Sequence, residues 1–135
     1  MDLDAIKARA RAWADADPDP ATKAEIVALL DAPDPKQTDL PDRFGASLEF
    51  GTAGLRGVIG GGTNRMNRAV VLRTTWGLGR FLLEKEPEAK PRGVVIGYDG
   101  RRMSRELAED TACVLAGAGI RAKIGSNGHC PVELP

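Results

Sequence analysis

Apolar residues recur at helical spacing near the start of the chain and again over residues 68–84, and between these stretches they thin into short runs. Leu3 to Ala14 is dominated by Ala, Arg, Lys and Leu, which lose little side-chain freedom in a helix, and predicts a first helix. Asp17-Pro18-Asp19-Pro20 breaks it. Asp19 is placed to cap a second helix with Pro20 as its first residue, and Ile26, Leu29 and Leu30 give that helix one apolar face. Residues 31–47, with Pro33, Pro35 and Pro41 among polar neighbours, read as an ordered but irregular connection. Leu48-Glu49-Phe50 predicts a short strand, followed by a glycine-rich loop and by a second glycine stretch, Gly60-Gly61-Gly62, read as flexible. Asn67 is a good cap for the next helix, whose apolar positions are Val70, Val71, Thr74, Leu78, Phe81 and Leu82. Gly77 and Gly79 weaken that helix, by roughly 1 kcal/mol each relative to alanine, and would allow it to pack closely on a sheet.

Pro87 to Pro91 end this element, and Gly93 to Gly97 then form a continuous apolar run, the pattern of a buried parallel strand. After the turn 98–103, Ser104 with Glu106 and Leu107 fits a helix start, and Leu107, Thr111, Val114 and Leu115 are expected to face a sheet. Gly117 and Gly119 stop the helix, and Ile120 to Ile124 read as the next strand. Strand, helix and strand at this spacing make a βαβ unit, which predicts a parallel pair with a right-handed crossover. No internal repeat or low-complexity tract interrupts the pattern.

Composition narrows the classes of function. The chain has 135 residues, enough for one domain with a core. Its 19 basic and 19 acidic residues cancel, which gives no electrostatic case for nucleic acid or an anionic membrane surface. Aromatic residues are too scarce for base-stacking platforms, and no apolar run reaches the length of a membrane span. Met1-Asp2-Leu3-Asp4 lacks the basic and apolar regions of a signal peptide. Cys113 and Cys130 lack zinc spacing; Cys113 reads as an inert core thiol, and a reducing cytoplasm is the expected setting.

The candidate chemistry lies in Phe50–Gly57, Phe-Gly-Thr-Ala-Gly-Leu-Arg-Gly. Glycines here let a backbone approach a ligand, and Arg56 supplies a planar set of donors that matches phosphate oxygens. Two readings are open for Arg56: an anion ligand, or a surface arginine paired with Glu49 or another carboxylate. Two are open for Thr52 as well. Its hydroxyl and the Gly51 and Gly54 amides can form an anion nest, or it can brace its own turn. Asp99 and Arg101 follow the carboxyl end of a predicted parallel strand, where open α/β sheets place their sites, yet an Asp-Gly turn with an internal ion pair explains both as scaffold and is the stronger reading. His129 is the only histidine and has no carboxylate near it in sequence, so it is given no role. Gly97-Tyr98-Asp99-Gly100 lacks the further glycine of a dinucleotide fingerprint.

The Gly-Thr-Ala-Gly-Leu-Arg string resembles the N-terminal signature of the α-D-phosphohexomutases, the phosphoglucomutase and phosphomannomutase family. Arg11-Ala12-Trp13-Ala14-Asp15-Ala16-Asp17-Pro18, then Ala21-Thr22-Lys23 and Ile26, are similar to the leader of its phosphoglucomutase/phosphopentomutase branch. Leu48-Glu49-Phe50 entering the loop, Arg65-Met66-Asn67, Thr74-Thr75-Trp76-Gly77-Leu78, and Val94 to Arg101 with Ser104 continue the likeness.

The resemblance implies a three-layer α/β/α domain with a mixed, mainly parallel sheet, truncated and preceded by a helical arm. Residues 1–40 would be the arm, 41–125 the incomplete domain and 126–135 a divergent tail, in place of the family's Pro-Thr-Pro stretch. It implies the N-terminal part of an enzyme that interconverts sugar 1-phosphates with 6- or 5-phosphates through a phosphoserine and a bisphosphate intermediate. Arg56 would contact the phosphorylated sugar or the phosphoserine region. The Thr-Ala-Ser-His-Asn-Pro type loop and the Asp-x-Asp-x-Asp loop are absent from this sequence, so the catalytic serine and the Mg²⁺ ligands would lie in the rest of a longer protein. Mg²⁺ and a sugar bisphosphate activator are thus implied for the full-length enzyme. The expected partners are a phosphosugar and the remaining mutase domains, with no nucleic acid or membrane. The isolated chain is expected to be inactive, marginally stable and prone to associate through an uncovered sheet. A non-catalytic phosphosugar-binding or interaction module, and a gene remnant, are the alternatives.

Overall fold

The computed structural model describes residues 2–126 and 132–133, which divide at Val70/Val71 into two compact units. His129 and Cys130 lie outside the described residues. Among the described residues no helix is long and apolar enough to cross a membrane.

The first unit is mostly helical. α1 spans Leu3–Ala16, with the Asp2 side chain accepting from the Asp4 amide at its N-terminus. α2 spans Pro20–Leu30 and starts as expected: Pro20 occupies the first turn and the Asp19 carboxylate accepts from the Ala21 amide at 3.0 Å. The connection after α2 is more regular than its prolines suggest. It holds a 3₁₀ turn at Pro35–Gln37 and a short helix, α3, at Leu40–Phe44. Burial fixes these pieces. Leu40 and Phe44 are fully buried with Ile6, Ala10, Ala14 and Ile26, and Trp13 meets Phe44 edge-on at 5.9 Å. Ile6, Ile26, Leu40 and Phe44 each contribute roughly 1.5–3 kcal/mol when removed from water.

Two short strands follow, β1 (Phe50–Gly51) and β2 (Gly54–Leu55), paired antiparallel with Phe50 opposite Leu55 and Gly51 opposite Gly54. Leu48 and Glu49, expected to extend the first strand, lie outside it. Gly60–Gly62, read from sequence as flexible, are all buried instead. The Asn67 side chain holds this stretch, with Nδ2 at 2.8 Å from both the Gly60 and Gly62 carbonyls, while its Oδ1 accepts from the Val70 amide at 2.9 Å and so caps α4 (Arg68–Lys85).

The second unit is built on a three-stranded sheet of order β3-β4-β5. β3 (Val94–Tyr98) and β4 (Ala122–Ser126) are parallel, with Val94 opposite Ala122 and Ile96 opposite Ile124, and β5 (Val132–Glu133) is antiparallel to β4. The sheet is therefore mixed, as the α/β expectation requires. Before it come the rest of α4 and a short helix, α5 (Ala89–Arg92). α6 (Ser104–Gly117) connects β3 to β4 and packs on them. Ala112 and Leu115 of α6 are buried with Ile120, Ala122 and Ile124, flanked by Leu82, Val94, Ile96 and Tyr98. β3 is buried on one face only: Val95 is 69% exposed and Gly97 is exposed. The continuous apolar run thus forms a half-covered strand.

α4 departs from its expected pattern. Its buried positions are Thr75 and Gly79, and Gly79 packs against Leu115, Ile120 and Ala118. The glycine admits a close approach, but to the end of α6 and the residues after it. Leu78 and Phe81 are exposed, as is Trp76, over which the Arg80 guanidinium stacks at 5.1 Å. Cys113, expected in a core, is exposed on α6.

Candidate functional site

The glycine-rich segment is a hairpin with Thr52 and Ala53 at its tip. No non-glycine residue in it has positive φ; the left-handed value falls on Gly54, at +101°. That is the arrangement in which a turn closes through a glycine bulge, and it explains why glycine stands at this position.

The register sorts the side chains. Residues alternate between faces along each strand, so Phe50 and Leu55 share one face while Gly51 and Gly54 share the other. One step outward, Glu49 and Arg56 lie opposite each other on the glycine face. An open depression of about 240 Å³ lies there, lined by Glu49, Gly51, Thr52, Ala53, Gly54 and Arg56. Its floor is the glycine pair. A Cβ at Gly54 would meet nothing within 4 Å, and one at Gly51 only the Gly54 carbonyl oxygen at 3.7 Å. Side chains at these two positions would occupy the hollow.

Arg56 is exposed and makes no hydrogen bond or ion pair among the described residues. The pairing with Glu49 that would have explained it as scaffold is not made. The Thr52 hydroxyl likewise makes no hydrogen bond among the described residues, so it does not brace its own turn. The hairpin brings both sequence-selected residues to one hollow. Sequence reading missed Glu49 as a lining residue, although its place opposite Arg56 follows from the hairpin register.

The turn after β3 behaves differently. Asp99 accepts from the Arg101 amide at 3.0 Å and from Arg101 Nε at 2.8 Å. These bonds, the backbone one foremost, hold the Asp99 carboxyl below its ordinary pKa. Ser104 does not cap α6 with its side chain; its Oγ accepts from the Asp99 amide at 3.1 Å, and Met103 precedes the helix with φ of 67°. Asp99 and Arg101 are spent on each other.

A cluster of charges lies at the base of the first unit's loop. Arg43, with a side chain only 12% exposed, donates to Glu25 at 2.6 Å and to Asp39 at 2.8 Å. Burial pulls the guanidinium pKa down, but the bonds to Asp39 and Glu25 outweigh it and the net shift is upward. The Arg43 hydrogen bond in turn lowers the Asp39 carboxyl. Arg65, buried, reaches Asp42 at 2.7 Å. These groups satisfy one another and the backbone.

Among the described residues no three of His, Cys, Asp and Glu come together in a way that could hold a metal ion.

Comparison with known proteins places the chain. Residues 47–133 match the family model described as phosphoglucomutase/phosphomannomutase, alpha/beta/alpha domain I. Phosphopentomutase of Mus musculus is 50% identical over 58 residues, covering 43% of this chain and 9% of that protein. Phosphoribomutase of Saccharomyces cerevisiae is 33% identical over 116 residues, covering 86% of this chain and 18% of the relative. Glucose 1,6-bisphosphate synthase of Mus musculus is 37% identical over 102 residues, covering 71% of this chain and 16% of that protein. The chain thus spans less than a fifth of the length of each of these relatives. No solved structure matches it. With the family model covering most of the chain from just before the hairpin onward, this protein belongs to the phosphoglucomutase/phosphomannomutase family.

Proposed function

We propose that this chain is the part of a phosphomutase that receives a phosphorylated sugar, and that the glycine face of the β1–β2 hairpin is where the phosphate is held. The observation that carries the reading is Arg56: exposed, unpaired among the described residues, and beside a hollow floored by two glycines. A guanidinium offers two parallel N–H donors to phosphate oxygens, and a charge-assisted hydrogen bond contributes about 1.5–3 kcal/mol. The Thr52 hydroxyl, which also lines the hollow, adds a donor. Glu49 bears on selectivity. Its carboxylate repels a bare phosphate but accepts hydrogen bonds from hydroxyls, so the pair Arg56 and Glu49 suits a ligand that carries both groups.

The names of the relatives support a phosphorylated pentose or glucose as the ligand. In phosphoryl transfer the protein mainly positions the group and stabilises its charge, and Arg56 is suited to both tasks. The reading gives this chain no nucleophile, so the isolated chain binds without turnover. A cytoplasmic setting belongs to the same proposal.

The test is a titration of the ¹⁵N-labelled chain with glucose 1-phosphate, ribose 1-phosphate and inorganic phosphate. Shifts at Gly51, Thr52, Gly54 and Arg56 are expected, larger for the sugar phosphates, and absent in Arg56→Ala. Saturable binding that leaves these amides unmoved, or that survives Arg56→Ala unchanged, would reject the site. Turnover of glucose 1-phosphate by the isolated chain with glucose 1,6-bisphosphate would reject the division between binding and chemistry.

A further inference from the structure

The hairpin that carries Arg56 is fastened at both feet to the loop that follows it. The Leu48 amide donates to the Thr63 carbonyl at 2.9 Å, and the Met66 amide donates to the Val58 carbonyl at 2.8 Å. The loop between these fasteners is gripped at Gly61. The Gly61 amide donates to Glu25 Oε2 at 3.2 Å, and its carbonyl accepts from Arg43 Nη1 at 3.0 Å. Arg43 Nη1 also donates to Glu25 Oε1 at 2.6 Å, which closes a ring of three hydrogen bonds. No side chain fits inside this ring: a Cβ at Gly61 would lie 2.8 Å from Ile26 Cγ1.

We propose that Glu25 and Arg43 are positioning residues for Arg56. Through Gly61 they set the loop, and through the two fasteners the loop sets the direction in which the hairpin presents its guanidinium. Glu25 comes from α2, so the helical leader is a working part of the site. The inference rests on the reading of the hairpin as a phosphosugar site. Its chemistry is demanding in one respect. Glu25 must accept from the Gly61 amide on one oxygen and from Arg43 on the other, which a carboxylate can do and a carboxamide, with a single acceptor oxygen, cannot.

The test uses the full chain carrying Glu25→Gln, with Arg43→Lys as a second variant that keeps the charge beside Asp39. Amide hydrogen exchange is read at Leu48 and Met66, and at Ala10 and Ala14 of α1 as controls in the same unit. Exchange at the two feet is expected to rise roughly tenfold or more while the α1 amides stay within about twofold. Affinity for glucose 1-phosphate is expected to fall in Glu25→Gln, and to fall no further when Glu25→Gln is added to Arg56→Ala, because the two act on one contact. Unchanged exchange at Leu48 and Met66 in both variants would overturn the proposal. So would an equal rise at the feet and in α1 in both, which marks general stabilisation. If the unmodified chain fails to bind glucose 1-phosphate, the binding site falls, and the exchange pattern still decides whether Glu25 and Arg43 control the hairpin.

Discussion

Two groups of glycines lie within a dozen residues of each other and do opposite things. At Gly51 and Gly54 the missing side chains leave room: a Cβ at Gly54 would touch nothing within 4 Å. At Gly60, Gly61 and Gly62 they remove collisions: a Cβ would come within 3.0 Å of Arg43 Nη1, 2.8 Å of Ile26 Cγ1 and 2.9 Å of the Arg43 carbonyl oxygen, in that order. The first pair floors a hollow that a ligand can enter. The second group lets the chain pass beneath Arg43 and over Ile26. Glycine density by itself does not separate a binding surface from a packing contact; the neighbours of each glycine do.

The sharpest way to break this contrast is to add one methyl group to each region. At Gly62 the φ of +120° excludes an L side chain in comfort, and the colliding atom is backbone, which cannot swing aside. Gly62→Ala should destabilise the first unit by about 3 kcal/mol or more. Gly51→Ala has neither problem and should change stability by less than about 0.5 kcal/mol. Urea unfolding followed by Trp13 fluorescence in a Trp76→Phe background measures both, since Trp13 packs against Phe44 in this unit. Equal losses would erase the distinction.

Arg56→Ala sharpens the same contrast from the ligand side. Removing an unpaired, exposed arginine breaks no hydrogen bond or ion pair among the described residues, so the unfolding midpoint should not move. Affinity for glucose 1-phosphate should fall by roughly ten- to a hundredfold, the value of a charged hydrogen bond or two. A shifted midpoint with unchanged affinity would return Arg56 to the scaffold.

How far the sequence discloses these differences depends on the range of the forces involved. The α1/α2 break, the Asp19 cap with Pro20 and the Asn67 cap on α4 are visible because each acts within a few residues of itself. The parallel β3/β4 pair is visible through the spacing of a βαβ unit. α3 was hidden, because Leu40 and Phe44 are helical and buried on account of Ile6, Ala10 and Ile26 from distant positions. The orientation of α4 was hidden for a similar reason. Its apolar residues recur at helical spacing, yet Gly79 and Thr75 face inward and Phe81 faces water. In the proposed site, Arg56 and the glycines that line the hollow stand out in the sequence. The ring joining Glu25, Arg43 and Gly61 was not, since it spans separations of 18 and 36 residues with no local signal.

A smaller effect tests the charges that surround Arg43. Asp39 is lowered below its ordinary pKa of 3.8, first by its hydrogen bond from Arg43. A carboxylate with a depressed folded pKa stabilises fully above the ordinary value, and the contribution is lost as pH falls through the folded pKa. The first unit should therefore lose stability on acidification below about pH 4, and Asp39→Asn should flatten that part of the profile. The side chain is 48% exposed, so screening limits the effect to about 1 kcal/mol or less. Midpoints measured from pH 6 to pH 3 in both proteins decide it. An identical acid slope in Asp39→Asn would show that the charge cluster around Arg43 does not depend on this carboxylate.

The smallest effect is expected where an arginine follows a glycine turn and is already committed. Arg101 is 86% exposed and bound to Asp99, so Arg101→Ala removes an ion pair of the kind that contributes little in water. It leaves the backbone bond from residue 101 to Asp99 Oδ1 in place, and that bond is the foremost cause of the lowered Asp99 carboxyl. The carboxyl ¹³C titration of Asp99 should therefore move only part of the way back toward 3.8 in the variant. Glucose 1-phosphate affinity should stay as it was. A loss of affinity comparable to that of Arg56→Ala would mean that an arginine held by its own neighbour still serves the ligand, and pairing in the free protein would then no longer separate the two turns.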